Sequence, residues 1–229
     1  MNWLGPQEWQ AVALSLRVAT TATLASLPFA IAMAWLLARR RFPGHALVSA
    51  VIHLPLVMPP VVTGYLLLIV FSRNSAFGGF LDRIGLSPAF HWTGAALAAG
   101  IMGFPLMVRA IRLGFEAVDP RLEQAAETLG AGRAAVFLTV TLPLILPAVL
   151  AGLVLGFAKA MGEFGATITF VANIPGQTRT VPSAIYAFLQ VPGGEGPALR
   201  LVAISILIAV AAVILSEIMA RRAGQRITA

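Results

Sequence analysis

Apolar runs long enough to cross a bilayer recur along this chain, at about residues 12–38, 47–71, 93–111, 144–168 and 199–220. A membrane-spanning helix needs about 20 predominantly apolar residues, so each run predicts one crossing. A soluble globular domain is about 25% charged, whereas here 11% of residues are charged and 59% are hydrophobic. The 229 residues therefore predict an all-α integral membrane protein of about five transmembrane helices. They form a single domain over residues 1–229, with no soluble domain, repeat or low-complexity tract.

The net charge of +7 is nearly all arginine. In a soluble protein that excess would suggest nucleic acid, but its placement here argues otherwise. Arg39, Arg40 and Arg41 follow the first run, Arg109, Arg112, Arg121 and Arg133 flank the segment between the third and fourth, and Arg221, Arg222 and Arg226 follow the last. The positive-inside rule puts all three clusters in the cytoplasm. An odd number of crossings follows, with the N-terminus outside and the C-terminus inside. Residues 72–92 and 173–197 hold the turn formers and become external loops, the second with a short helix expected over 182–190. Trp3, Trp9, Trp35 and Trp92 fall near span ends, as interfacial anchors do. Cysteine is absent, which excludes disulfides and thiolate metal sites. No basic region precedes the first run, and Glu8 stands where one would be, so no cleaved signal peptide is expected.

The connection over residues 112–143 is polar and rich in small residues. Asp119-Pro120 reads as an N-cap followed by proline at the first helical position, and Gly130 as a C-terminal stop. Between them Leu122, Ala125, Ala126 and Leu129 share one face of a short helix. That face is shallow, so another surface can approach its backbone closely. Glu123, Gln124 and Glu127 lie off it, toward water or a partner's basic groups. After residues 130–132 a second helical stretch is expected to run to Leu142-Pro143. The local pattern leaves two readings open: an interfacial loop packed under its own bundle, or a docking surface.

Several residues stand out at membrane depth. Pro55, Pro59 and Pro60 interrupt the second run. Such breaks are tolerated where the backbone faces protein or a water-filled cavity, so the stretch from Pro59 and Pro60 through Thr63 and Gly64 is a candidate pathway lining, with a simple kink as the alternative. Lys159 and Glu163 are four residues apart on the fourth span and share a face. An isolated charge at mid-membrane costs about 2.5–3.5 kcal/mol on insertion scales, so mutual neutralisation competes with a role at an outer gate. Gly165 allows bending or close packing there, and Thr167 and Thr169 offer hydroxyls to an oxyanion or to their own helix backbone. His53 reads as a helix–helix hydrogen bonder, and Glu217 as a local partner of Arg221 and Arg222. The only lysine, Lys159, is followed by alanine, so no phosphate-cradling GxxxxGK[ST] loop exists.

The stretch EQAAETLGAGRAAVFLTVTLPLILP, residues 123–147, resembles the EAA loop of ABC importer permeases. That pattern is Glu-Ala-Ala, three residues, Gly, nine residues, Ile-x-Leu-Pro. Ala125-Ala126, Gly130, Val140 and Leu142-Pro143 keep the spacing; Gln124 stands in the glutamate place, with Glu123 just before it. HLPLVMPPVVTGYLLL (53–68), FPLMVRAIRLGFEAVD (104–119), GEFGATITFVANIPGQTRT (162–180) and PGGEG (192–196) extend the similarity over nearly the whole chain. They resemble the molybdate, tungstate and sulfate branch, and the short chain favours the molybdate permeases.

The resemblance implies a type I ABC importer permease (MetI-like) with residues 112–143 as the cytoplasmic coupling loop, in a bacterial inner membrane. It implies a second copy of the chain, two cytoplasmic subunits that bind ATP and magnesium, and a periplasmic or extracellular oxyanion-binding protein. The permease itself carries no cofactor or metal and is not an enzyme. Many such permeases have one more N-terminal helix, which this chain is expected to lack. Sulfate or thiosulfate is the competing substrate. An ATP-independent channel would give the loop no role. An intramembrane hydrolase would need paired catalytic groups, and Asp82 and Asp119, the only aspartates, lie outside the spans.

Overall fold

The computed structural model describes residues 3–228, with side chains described to Leu215 and at Ile218. The readings of Glu217, Arg221, Arg222 and Arg226 lie outside the described side chains. Every regular element is helical among the described residues: α1 (Pro6–Arg39), α2 (His45–Val57), α3 (Pro60–Phe71), α4 (Ala76–Arg83), α5 (Trp92–Ala117), α6 (Pro120–Thr128), α7 (Arg133–Val136), α8 (Leu142–Met161), α9 (Gly165–Val171), α10 (Val181–Leu189) and α11 (Glu195–Thr228). Four spans are continuous, namely α1, α5, the stretch Arg133–Met161 and the first part of α11.

The centre of the bundle is α5, packed between α1 and α8. Lipid gives apolar side chains no reason to prefer one another, so helix pairing in a membrane relies on close backbone approach. The sequence of α5 supplies it: Ala95, Ala98 and Ala99 are buried against Val18, Ala19 and Ala22 of α1. A Cβ at Gly103 would meet the Gly156 carbonyl oxygen of α8 at 3.2 Å. Toward the end that carries α6, larger side chains take over, with Met107, Ile111 and Phe115 packed against Ala30, Ala34, Ile145 and Val149.

Three spans differ from their expected form. The second is not one helix: α2 and α3 meet at 111°. Pro59 and Pro60 lack N–H groups, and Pro59 pushes Met58 into extended backbone (φ −73°, ψ 143°), which ends α2. Pro55 is absorbed within α2 and breaks nothing. The fourth run also divides, with α8 ending at Met161 and α9 starting at Gly165. The third run continues past residue 111 to Ala117. Arg112 and Glu116 pair at 2.7 Å one turn apart, while Phe115, turned toward the core from its place beside Glu116, is fully buried. Hydropathy falls there, but the helix does not end.

At the opposite end of the bundle from α6, the first turns of α1 carry an ion pair from Glu8 to Arg200 of α11 (2.8 Å). There, too, the Val181 amide donates to Ser15 Oγ at 2.7 Å. These contacts account for a first helix longer than the membrane requires. The Arg17 guanidinium stacks 3.8 Å from the Trp92 ring centroid, as a cation at the boundary would. The expected short helix over 182–190 is α10, and the connection between α3 and α5 holds α4, capped by Ser75 Oγ accepting from the Gly78 amide at 2.8 Å.

Candidate functional site

The loop between α5 and α8 starts as its sequence directs. Asp119 Oδ1 accepts from the Arg121 amide at 2.9 Å, Pro120 occupies the first turn of α6, and Gly130 adopts φ +88°, a region other residues avoid. No residue of α6 is buried. Leu122 is 49% and Leu129 89% exposed, and Ala125 lies open beside them. Ala126 is half-buried, so the face is open along Leu122, Ala125 and Leu129 and partly covered at Ala126.

Beyond Gly132 the chain departs from expectation. The second helical stretch does not stop at Leu142-Pro143. From α7 it passes through a π-helical turn, Phe137–Thr141, straight into α8. Pro143 has no N–H for the carbonyl four residues back, and the wider turn, in which the Leu142 amide donates to the Phe137 carbonyl, accommodates the ring without breaking the helix. Leu142 and Pro143 therefore open the membrane helix.

Glu123 is the second correction. It does not face water with Gln124 and Glu127. Its Oε1 lies 3.2 Å from Arg39 Nη2 at the end of α1 and accepts from Thr141 Oγ1 at 2.7 Å. Thr141 is buried, and Arg39 Nη2 also reaches the Val118 carbonyl at 3.5 Å. One carboxylate oxygen thus ties α6 to both α1 and the foot of α8. Gln124 and Glu127 remain exposed. Neither Arg39 nor Thr141 was a candidate from the sequence, where Arg39 read only as a topology signal. The proline at 143 was the available clue to an irregular turn before it.

At the other end of the bundle, α3 crosses α9 at very short range. A Cβ at Gly64 would come 2.5 Å from the Ala166 carbonyl oxygen and 2.9 Å from Thr169 Cβ. One at Gly165 would come 2.8 Å from Pro60 Cβ. Pro60, Gly64, Gly165 and Thr169 are therefore assembled at one crossing. Pro59 lies exposed at the bend. Thr169 Oγ1 donates to the Gly165 carbonyl at 2.8 Å, and Thr167 is buried. Thr63 is buried with a hydroxyl that has no partner.

Glu163 sits in the break before α9 and is 3% exposed. Its Oε2 accepts from Lys159 Nζ at 2.9 Å, and its Oε1 accepts from the Ala166 amide at 3.0 Å. The carboxylate restarts the helix as α9 and neutralises the lysine at once. His53 bonds within its own helix, donating from Nδ1 to the Ser49 carbonyl at 2.7 Å, rather than to a neighbouring helix.

Residues 26–225 match the family of binding-protein-dependent transport system inner membrane components. The chain is 60% identical over 220 residues to the molybdenum transport system permease protein ModB of Escherichia coli (strain K12), covering 96% of both. It is 54% identical over 221 residues to ModB of Haemophilus influenzae, again covering 96% of each chain. The sulfate transport system permease protein CysT of Salmonella typhimurium (strain LT2) is 37% identical over 185 residues, 81% of this chain and 67% of that one. Among solved structures, a bacterial ABC transporter involved in import of alginate superimposes with a TM-score of 0.74 at 19% identity, covering 95% of this chain and 80% of that one. The MetNI methionine ABC transporter in an inward-facing conformation gives 0.68 at 12% identity, covering 94% of each. The type I importer permease fold is thus shared well beyond the range of sequence similarity. With a family match over most of its length and relatives that share more than half its residues, this chain belongs to the binding-protein-dependent transport system inner membrane components, as a multi-pass permease rather than an ATPase.

Proposed function

We propose that this chain forms the membrane pathway of an ATP-driven molybdate importer. The observation that carries this reading is the 60% identity to a molybdenum permease across 96% of both chains. The sulfate permease similarity is lower and leaves a third of that protein unmatched. Two copies of the chain would enclose the pathway, with two ATP-hydrolysing subunits bound at α6 and an oxyanion-binding protein at the opposite end. Closure of the ATPases on ATP moves α6 as a lever, and the two halves open outward to receive the anion. Hydrolysis resets them, so each state is favoured by contacts the other lacks.

The open face of α6 is the docking surface in this account, with Gln124 and Glu127 as the polar groups a partner meets. Glu123 serves the loop from inside, holding α6 to α1 and α8 so that motion of the lever reaches the bundle. The α3–α9 crossing, with Glu163 and Lys159 beside it, forms the gate region. Replacing Ala126 with tryptophan should block the close approach of the ATPase. Co-purification with the ATP-binding subunit and uptake of labelled molybdate should both be lost, while the chain still inserts in the membrane. Normal association in Ala126→Trp would remove the docking role from this face.

We place the N-terminus outside and the C-terminus in the cytoplasm, on the strength of the arginine clusters. Four spans are continuous, and the bent α2–α3 pair counted as one crossing makes five; this orientation requires the odd count. Reporter fusions after Arg41 and Arg133 are expected to be cytoplasmic, and those after Arg83 and Gln190 external. A cytoplasmic signal at Arg83 would make the bent pair a re-entrant loop and overturn the orientation.

A further inference from the structure

Beside the coupling loop, a cavity of about 490 Å³ opens between α1 and the α7–π turn segment. It is lined by the apolar side chains of Pro28, Ile31 and Ala32 of α1 and of Phe137, together with Arg40 and Arg133. Pro28, Ile31, Ala32 and Trp35 recur at helical spacing on one face of α1. From residue 28 to residue 40 the chain rises about 18 Å, close to the half-thickness of a bilayer core, about 15 Å. The Arg40 guanidinium lies 5.5 Å from the Trp35 ring centroid, the arrangement of an aromatic belt at the membrane boundary. Neither Arg40 nor Arg133 has a carboxylate partner among the described residues, although Arg39 next door is paired with Glu123.

We propose that this cavity is a binding site for an anionic phospholipid of the leaflet on the coupling-loop side. The phosphodiester sits between Arg40 and Arg133, and one acyl chain lies along Pro28, Ile31 and Ala32 against Phe137. Charge complementarity selects the occupant. Two guanidinium groups at the headgroup level attract a net negative lipid, whereas a choline headgroup would bring a third cation to the same place. The apolar lining distinguishes a lipid from a free anion, which has nothing to put there. A lipid held in this way bridges α1 to α7, the helix that follows α6.

The test uses the full-length chain in mild detergent, exposed to mixed vesicles of dioleoyl-phosphatidylglycerol and dioleoyl-phosphatidylcholine, with retained lipid counted by native mass spectrometry. The wild type should retain phosphatidylglycerol over phosphatidylcholine by roughly ten- to thirtyfold, since each of the two basic residues near an anionic lipid contributes about a fivefold preference. Arg40→Gln with Arg133→Gln should erase the preference. Ala32→Trp, which fills the groove and leaves both arginines, should also lower phosphatidylglycerol retention. Equal retention of the two lipids by the wild type would overturn the proposal, as would an unchanged preference in the double variant. If Ala32→Trp keeps full retention and inorganic phosphate displaces the lipid, the site is one for free anions and the lipid assignment is wrong. Should the double variant aggregate, the wild-type preference and Ala32→Trp decide the matter.

Discussion

Glu123→Ala is expected to abolish molybdate uptake while leaving ATP hydrolysis and association with the ATPase subunit largely intact. The carboxylate oxygen that holds Arg39 and Thr141 is the polar link by which α6 grips two membrane helices, and no residue of α6 is buried to replace it. Hydrogen bonds to charged groups contribute about 1.5–3 kcal/mol each. The pair is partly exposed (18% and 24%), so the lower end applies. That is small against the stability of a whole bundle but large for a nine-residue helix with so little else to anchor it. The permease should therefore still insert and assemble, and the loss should appear as ATP consumed without transport. Glu123→Gln retains an acceptor for Thr141 and should be milder. Exchanging the charges, Arg39→Glu with Glu123→Arg, should recover part of the coupling. Gln124→Ala should behave differently, weakening subunit association instead. If Glu123→Ala instead releases the ATPase subunit, Glu123 is the docking acid and the internal clamp is wrong.

Gly64→Ala should be nearly as damaging, although alanine is ordinarily the better helix residue. The propensity gain is about 1 kcal/mol. Against it, the new Cβ would stand 2.5 Å from the Ala166 carbonyl oxygen and 2.8 Å from its Cα. Both are backbone atoms, which cannot rotate away, so α3 and α9 must separate. Overpacking of this kind costs about 1–3 kcal/mol and sometimes more, and it would displace the segment that Glu163 starts. Thermal unfolding in detergent should fall by several degrees, and uptake should drop further than stability does. Gly132→Ala is the control, since its backbone has φ −68° and nothing lies within 4 Å of the added methyl. A Gly64→Ala chain with wild-type melting and uptake would show that the crossing is looser than it looks.

What the sequence revealed was local. Asp119-Pro120 and Gly130 bound α6 because capping and positive-φ chemistry act within a few residues. The apolar runs located the spans, since hydrocarbon thickness fixes their length. What escaped was long-range or depended on backbone irregularity. Glu123 looked solvent-facing on a helical wheel, yet Arg39, 84 residues away, and a π turn that presents Thr141 drew it inward. Pro59 and Pro60 announced a break, but the 111° angle depends on what α3 finds to pack against, and that is Gly165 and Ala166. The full length of α5 was hidden because Arg112 and Glu116 lower the hydropathy while Phe115 continues the core. The spacing left the Glu163–Lys159 ion pair open as one of two readings, and the bond from Glu163 to the Ala166 amide could not be anticipated before the helix was known to restart there.

The central claim is ATP-driven import of molybdate through a pathway built by this chain, and uptake into proteoliposomes tests it most directly. The chain is reconstituted with its ATP-binding subunit, with ATP on the coupling-loop side and the binding protein loaded with labelled molybdate on the other. Accumulation is expected only when ATP, ATPase and binding protein are all present, and Ala126→Trp should eliminate it. Molybdate flux that runs down its gradient without ATP would make the chain a channel, and accumulation of sulfate but not molybdate would assign it to the other branch; either result would contradict the account.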